Sequence, residues 1–250
     1  MDIEGSVAFV TGANRGLGKA FVEGLLNAGA ARIYAASRAR DSLDEIARIH
    51  PGRIVPIVLD VTDSTAVRSA VEYAGDIDLL INNAGVAHFE GFISADDLAA
   101  ARVEMNVNYF GSLDVIRAFA PILKANGGGA IVQVSSIAGM VTFPVVGSYS
   151  ASKAAVNAMI QGVRAELATQ RTAVTGVYPG VIDTEMSDRF DAPGVPPADI
   201  VNASLEAVIK GNEDVFPDAM SQDLHGQLLL DPKMVEQQFA QMLPVVDSGS

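Results

Sequence analysis

Tyr149 and Lys153 stand four residues apart in Tyr149-Ser150-Ala151-Ser152-Lys153, a spacing that sets a phenol and an ammonium on one face of a helix. A cation beside a phenol favours the phenolate and draws its ionisation from about pH 10 toward neutrality. A tyrosine so tuned is a general acid or base. A second group of residues suits an anion. Thr11-Gly12-Ala13-Asn14-Arg15-Gly16-Leu17-Gly18 follows an apolar strand and opens a helix, so glycines fall where backbone must approach a ligand and helix amides point at negative charge. The pattern is Gly-x-x-x-Gly-x-Gly, with a longer first gap than the commoner Gly-x-Gly-x-x-Gly fingerprint. Where the second strand ends, at Ala35-Ala36-Ser37-Arg38, the acid that would accept a ribose 2′-hydroxyl is missing. Arg15 and Arg38 instead offer two guanidinium forks for a 2′-phosphate, which favours NADP over NAD. Asp60, closing the third strand in Leu59-Asp60-Val61, either caps the next helix or reaches an adenine amino group.

These residues need a frame, and the sequence supplies one. Apolar, strand-sized runs recur at Ser6–Val10, Arg32–Ala36, Ile54–Leu59, Ile77–Ile81, Ala130–Val134 and Ala173–Val177. Being apolar throughout, they read as parallel strands buried on both faces. Helical patterns separate them at Leu17–Ala28, Ser42–Ile49, Ser64–Tyr73, Ala95–Leu123 and Tyr149–Thr169, the fourth ending just past Pro121 before Gly127-Gly128-Gly129. Alternation of this kind predicts an α/β fold, a doubly wound parallel sheet of the Rossmann type with helices on both faces. With 250 residues, a single domain over 1–250 is expected. A loop and helix over about 183–212 would bind substrate, and a helical extension over about 217–243 would follow, its two helices split at Asp231-Pro232. Its apolar positions, such as Leu224, Leu228 and Phe239, are read as packing on the domain's own surface.

Composition removes several classes. Hydrophobic residues make up 49% and charged ones 19%, which excludes a disordered chain or a coiled coil. A net charge of −13 opposes nucleic acid and anionic membrane surfaces, so neither is expected as a partner. With no cysteine there is no thiol nucleophile and no zinc-finger spacing, and the three histidines form no metal set. The acidic start (Asp2, Glu4) is unlike a secretory leader, and a cytoplasmic protein is expected.

The glycine turn, Asn82-Asn83-Ala84-Gly85, Ser135-Ser136 and Tyr149-x-x-x-Lys153 occur in one fixed order. That ordered set resembles the short-chain dehydrogenase/reductase family, in its compact branch, across residues 6 to about 185. The resemblance implies hydride transfer between NADP(H) and a small-molecule carbonyl or alcohol, in the reductive direction by preference. It implies Tyr149 as proton donor or acceptor, Lys153 as its ribose-binding partner and Ser136, more than Ser135, on the substrate oxygen. Asn108, with Asn106 as the alternative, would hold a water of the proton relay. Gly12, Gly16 and Gly18 would face the pyrophosphate, with Arg15, Ser37 and Arg38 on the 2′-phosphate, and Asn14 and Leu17 would also bind the cofactor. Asp60 and Val61 would meet the adenine, Asn82 would lie near the adenosine ribose, and Ala84 and Gly85 would also bind the cofactor. Pro179, Gly180, Ile182 and Thr184 would touch nicotinamide. The pocket would be lined by His88, Phe143, Val146, Met186 and Phe190, mostly apolar, as suits a hydrophobic ketone or aldehyde.

A homodimer on the helices holding Asn108 and Tyr149, or a homotetramer, is also implied. The tail departs from the glycine-rich end that completes tetramer contacts in that branch. Two rival functions are an NADP-binding sensor without catalysis and NAD-dependent alcohol oxidation; loss of Tyr149, Lys153 or Ser136 would favour the sensor, and all three are present.

Overall fold

Seven parallel strands lie in the order β3-β2-β1-β4-β5-β6-β7, in a computed structural model that describes residues 1–187 and 193–244. The first half runs β1 (Val7–Thr11), α1 (Gly16–Asn27), β2 (Arg32–Ser37), α2 (Asp41–Ile49), β3 (Ile54–Val58), α3 (Ser64–Tyr73) and β4 (Leu79–Asn82). Next come α4 (Ala99–Glu104), a π-helical turn (Met105–Gly111), α5 (Ser112–Ala125), β5 (Gly129–Val134), α6 (Gly147–Leu167) and β6 (Thr172–Val177). The chain ends with α7 (Pro197–Lys210), β7 (Asp214–Val215), α8 (Ala219–Leu230) and α9 (Pro232–Phe239).

Alternating side chains of each strand feed two cores, which explains the unbroken apolar runs. Ala8 and Val10 join Ile33, Leu79, Ile81 and Val132 beneath α1 and α7, with Phe21, Leu25, Ile200 and Leu205. Phe9 points the other way, with Tyr34, Leu80 and Ile131, onto α3, α5 and α6 through Val67, Phe119 and Val156. A third cluster joins Phe143 and Val146 to Leu224, Val235 and Phe239, so the C-terminal helices do pack on the body of the chain.

The chain leaves β1 toward β2 and β3, then returns to place β4 on the other side of β1. The order therefore reverses between β1 and β4, and a crevice opens at their carboxyl ends, where such sheets take ligands. Thr11 pairs in register with Ala36, bringing the first glycine turn level with the Ser37-Arg38 corner.

Several expected features differ. The helix anticipated from Ala95 begins at Ala99, whose N–H is taken by the Asp97 side chain at 2.6 Å. It also continues through Pro121 to Ala125, with Pro121 on the exposed side of the helix. Asp60 does not cap the helix after β3. Its carboxylate accepts from Thr62 N at 2.9 Å and Thr62 Oγ1 at 2.7 Å, which hold it below the usual carboxylate range. Asp63 is the cap, accepting from Thr65 N at 2.8 Å and Ala66 N at 3.2 Å. Asp63→Ala should cost about 1 kcal/mol in urea unfolding, whereas Asp60→Ala should leave the helix end intact; equal losses would mean both carboxylates support it. Among the described residues, no helix is long and apolar enough to cross a membrane.

Candidate active site

A cleft over the carboxyl ends of β1, β4 and β5 is lined by the glycine turn, the Ser37-Arg38 corner, Asp60 and Val61, Asn83 to Ala87, Ser135 and Ser136, Tyr149, Lys153 and the segment from Pro179. The turn is shaped for close approach. Gly12 adopts φ +67°, and a Cβ on Gly18 would lie 2.0 Å from the Gly12 carbonyl oxygen. No side chain caps the amino end of α1, and its first turn carries no acid, so these amides are available to an anion. The geometry fits a dinucleotide pyrophosphate. Asn14, Arg15, Gly16 and Leu17 line the same wall. Arg15 pairs with Glu185, and both side chains are exposed.

Thr11 ties this turn to the next. Its Oγ1 accepts from Asn83 N at 2.9 Å and Ala84 N at 3.0 Å, and Asn83 Nδ2 donates to Thr11 O at 3.0 Å. Asn82, expected near a ribose, turns inward instead. It is buried, with Nδ2 donating to Gln133 Oε1 at 2.7 Å and Ser112 O at 3.0 Å. Successive residues of a strand face opposite ways, so Asn83, not Asn82, reaches the cleft.

Lys153 is buried, and its Nζ donates to Val134 O at 3.1 Å. That Nζ lies 5.7 Å from the centre of the Tyr149 ring, on the shared helical face the spacing predicted. The expected acidification of the phenol does not follow in this geometry. Burial pushes Tyr149 up to about 12, the neighbouring Ser136 hydroxyl pulls it partly back, and the charge of Glu104 adds to the rise. Burial likewise pushes Lys153 down to about 8. Desolvation penalises phenolate and ammonium alike, and spacing on a helix carries no information about burial.

Ser136 and Tyr149 face the cleft together. Ser135 Oγ is directed to Asn157 Oδ1 on α6. Asn108 is wholly buried in the π-helical turn and lies behind the lining, while Asn106 is exposed. The Asn108 amide grips Val86 from both sides, accepting from its N at 2.8 Å and donating to its O at 2.9 Å, and Nδ2 also donates to Ser152 Oγ at 2.9 Å. A Cβ on Gly85 would stand 3.2 Å from Asn108 Oδ1 and 3.7 Å from Lys153 Nζ. Gly85 and Lys153 line the cleft, and Asn108 is packed against them from behind.

Phe143, Val146 and Met186 line the outer part of the cleft with Pro179, Gly180, Ile182 and Thr184. His88 does not. Its ring faces Glu104, with Nδ1 3.4 Å from Oε1. Phe190 lies outside the described residues.

Asp218 and Glu104 had no reading in the sequence, and Phe239 was read only as surface packing. Asp218 holds the Pro179-Gly180 turn by accepting from Gly180 N at 2.9 Å, and it closes a capping box with Ser221; the Asp-x-x-Ser spacing was its signal. Phe239 stacks on Phe143 at 4.5 Å between ring centres, so α9 backs the pocket wall. Glu104, in α4, is fully buried.

Several known proteins resemble this chain. A family model described as short chain dehydrogenase matches residues 6–193. Dehydrogenase/reductase SDR family protein 7-like of Anopheles gambiae is 32% identical over 245 residues, spanning 86% of this chain and 75% of that protein. A short chain dehydrogenase from Burkholderia cenocepacia J2315, solved in complex with NADP, is 44% identical with a TM-score of 0.91, covering 96% of this chain and 99% of that one. A short chain dehydrogenase/reductase from Burkholderia phymatum, in complex with NAD, shares the fold at 22% identity and a TM-score of 0.80, covering 100% of this chain and 99% of that one. With a family model matched over residues 6–193 and relatives at 32% and 44% identity over most of its length, the chain belongs to the short-chain dehydrogenase/reductase family of oxidoreductases.

Proposed function

We propose that the chain is an NADP(H)-dependent carbonyl reductase acting on hydrophobic ketones or aldehydes. The observation that carries this reading is the half-buried Tyr149 phenol beside Ser136 and Lys153, in the same cleft as an uncapped helix end. The nicotinamide supplies the hydride when bound. Gly12, Gly16 and Gly18 with the amides of α1 would hold the pyrophosphate. Pro179, Gly180, Ile182 and Thr184 would position the nicotinamide end, with Asp218 keeping the Gly180 turn in place. Ser136 would orient the carbonyl oxygen and Tyr149 would give it the proton, which suits a phenol that burial keeps neutral. Phe143 and Val146 supply an apolar wall that keeps water from the reacting carbon.

Cofactor choice rests on the Ser37-Arg38 corner, where both residues line the cleft and no carboxylate stands at the end of β2. The NADP complex of the Burkholderia cenocepacia relative supports the same choice. Assembly as a homodimer through α4, α5 and α6 is part of this proposal, and exposed Val103 and Phe110 on that helical run support it.

The test is oxidation of NADPH and, in parallel, NADH by the purified protein against aliphatic, aromatic and bulky cyclic ketones. Turnover with NADPH and little with NADH is expected. Arg38→Ala should weaken NADPH by about tenfold to hundredfold, as loss of one charge-assisted bidentate contact of ~1.5–3 kcal/mol requires, and leave NADH nearly unchanged. Equal use of both nucleotides by the unaltered protein would overturn the cofactor assignment.

A further inference from the structure

Asp218 is bonded to more than the helix it caps. It is buried and stands just past β7, the edge strand that pairs with β6 through Val177 and Val215. Tyr178 N donates to Val215 O at 2.9 Å, and the Tyr178 ring stacks on Phe216 at 5.2 Å between centres. The two segments thus leave the sheet side by side, which brings Asp218 level with Pro179-Gly180. Each carboxylate oxygen then takes one backbone donor: Gly180 N reaches Oδ2 at 2.9 Å, and Ser221 N reaches Oδ1 at 2.9 Å. The Ser221 hydroxyl adds a third contact to Oδ2 at 2.9 Å. Capping of α8 accounts for the Ser221 contacts alone. The bond to Gly180 belongs to the cleft. Gly180 N and Pro179 O are the two ends of one planar peptide unit, and the far end is held by the segment that carries Ser136. Pro179 O accepts from Ile137 N at 3.0 Å and from Ser136 Oγ at 3.4 Å. A single peptide plane therefore spans from the buried carboxylate to Ser136, and both of its residues line the cleft. A Cβ on Gly180 would lie 2.9 Å from Asp218 Oδ1 and 3.1 Å from Met220 Sδ, so the turn rests directly on the start of α8.

We propose that Asp218 is a positioning residue for hydride transfer, acting through the Pro179–Gly180 peptide plane to fix the nicotinamide-facing turn and the Ser136 hydroxyl relative to each other. This rests on the reductase reading above. Ser136 would hold the carbonyl oxygen, and the turn would hold the ring that gives the hydride, so the plane joining them sets the distance between donor and acceptor. Reaction needs those atoms about 3–3.5 Å apart, and a misplacement of about 1 Å costs about 10²-fold in rate. The pyrophosphate cradle is built instead from the glycine turn and the amino end of α1. Nucleotide affinity and the rate of the hydride step are therefore separable, and Asp218 governs the second.

A carboxylate serves two N–H groups, one at each oxygen, whereas an amide or a hydroxyl has a single oxygen to offer. Asp218→Asn keeps the shape and must turn its NH2 toward one of the two donors. Asp218→Ser keeps a cap for Ser221 N–H and leaves Gly180 N–H unserved. Rapid-mixing single turnovers with NADPH and its C4-deuterated form read the hydride step itself, and NADPH fluorescence reads affinity. Asp218→Ser should slow the hydride step by about tenfold to hundredfold with NADPH affinity nearly unchanged, and Asp218→Asn should slow it in the same sense. Asp231→Ala is the comparison for stability. Asp231 caps the neighbouring α9, accepting from Met234 N at 2.9 Å, and is exposed, so its loss should lower the melting temperature and leave the hydride step in place. An unchanged hydride step in folded Asp218→Ser, or an equal slowing in Asp231→Ala, overturns the proposal. Absence of turnover in the unaltered protein would instead overturn the reductase reading. The Gly180 amide still reports in that case, because an N–H given to a carboxylate makes a strong bond that NMR reads as a downfield proton; a Gly180 resonance unmoved by Asp218→Ser would overturn the proposal without any substrate.

Discussion

Tyr149→Phe should lower kcat by about 10²–10⁴-fold, the usual worth of a positioned general acid, and leave NADPH affinity unchanged. The phenol oxygen is the only atom removed, so the ring remains against Val146 and the third core cluster, and the nucleotide cradle of α1 is untouched. Steady-state turnover with NADPH and a fluorescence titration of bound NADPH separate the two effects, without interference from indole because the chain has no tryptophan. Turnover retained in the variant would remove Tyr149 from the chemistry. Absence of turnover in both proteins, with NADPH bound by both, would favour a nucleotide sensor. The pH behaviour follows from the same group. Proton donation needs the neutral phenol, which burial pushes up to about 12, so reduction should be flat across neutral pH and fall only as pH climbs toward that value. Oxidation needs the phenolate, and so should rise with pH over the same range.

What could be read in advance depends on what kind of information each feature carries. The strands were legible because a parallel strand covered on both faces leaves an unbroken apolar run, and Phe9 between Ala8 and Val10 is the pattern in miniature. The glycine turn and the Tyr149–Lys153 pair were legible because each needs a residue type at a fixed spacing. The Ser37-Arg38 corner was legible as a missing acid. Features that depend on three-dimensional partners were not. Asn82 and Asn83 are chemically identical, and only the parity of β4 decides which faces the cleft. Asp60 and Asp63 both precede α3, and the register of the cap singles out Asp63. The acid constants of Tyr149 and Lys153 move with burial, which no spacing reveals. The C-terminal helices carried only a general apolar pattern, yet α9 sets Phe239 against Phe143 and so shapes the wall a substrate meets.

The second large effect is expected from a single methyl group. Gly18→Ala would place Cβ 2.0 Å from Gly12 O and 2.7 Å from both Gly12 C and Asn83 Nδ2. Two of these three are backbone atoms, so no rotamer change relieves the overlap, and either the glycine turn or the first turn of α1 must move. Overpacking of this kind costs about 1–3 kcal/mol. In the free protein the turn can relax and lose part of that strain. Nucleotide binding would demand the original approach of turn to helix, so the strain returns as lost affinity, about tenfold to hundredfold for NADPH. Asn83 is shared by both turns through Thr11, so the displacement also reaches the Ala84-Gly85 backbone over Lys153 and Asn108. Gly162→Ala provides the contrast. It lies within α6, and nothing stands within 4 Å of where its Cβ would be, so alanine there should stabilise the fold by about 0.5–1 kcal/mol through helix propensity alone. Melting curves and NADPH titrations on the two variants should therefore move apart, Gly18→Ala losing both stability and affinity and Gly162→Ala gaining stability with affinity unchanged. NADPH bound by Gly18→Ala as tightly as by the unaltered chain would show that the cofactor does not rest on this turn, and would move the search for the pyrophosphate site away from α1.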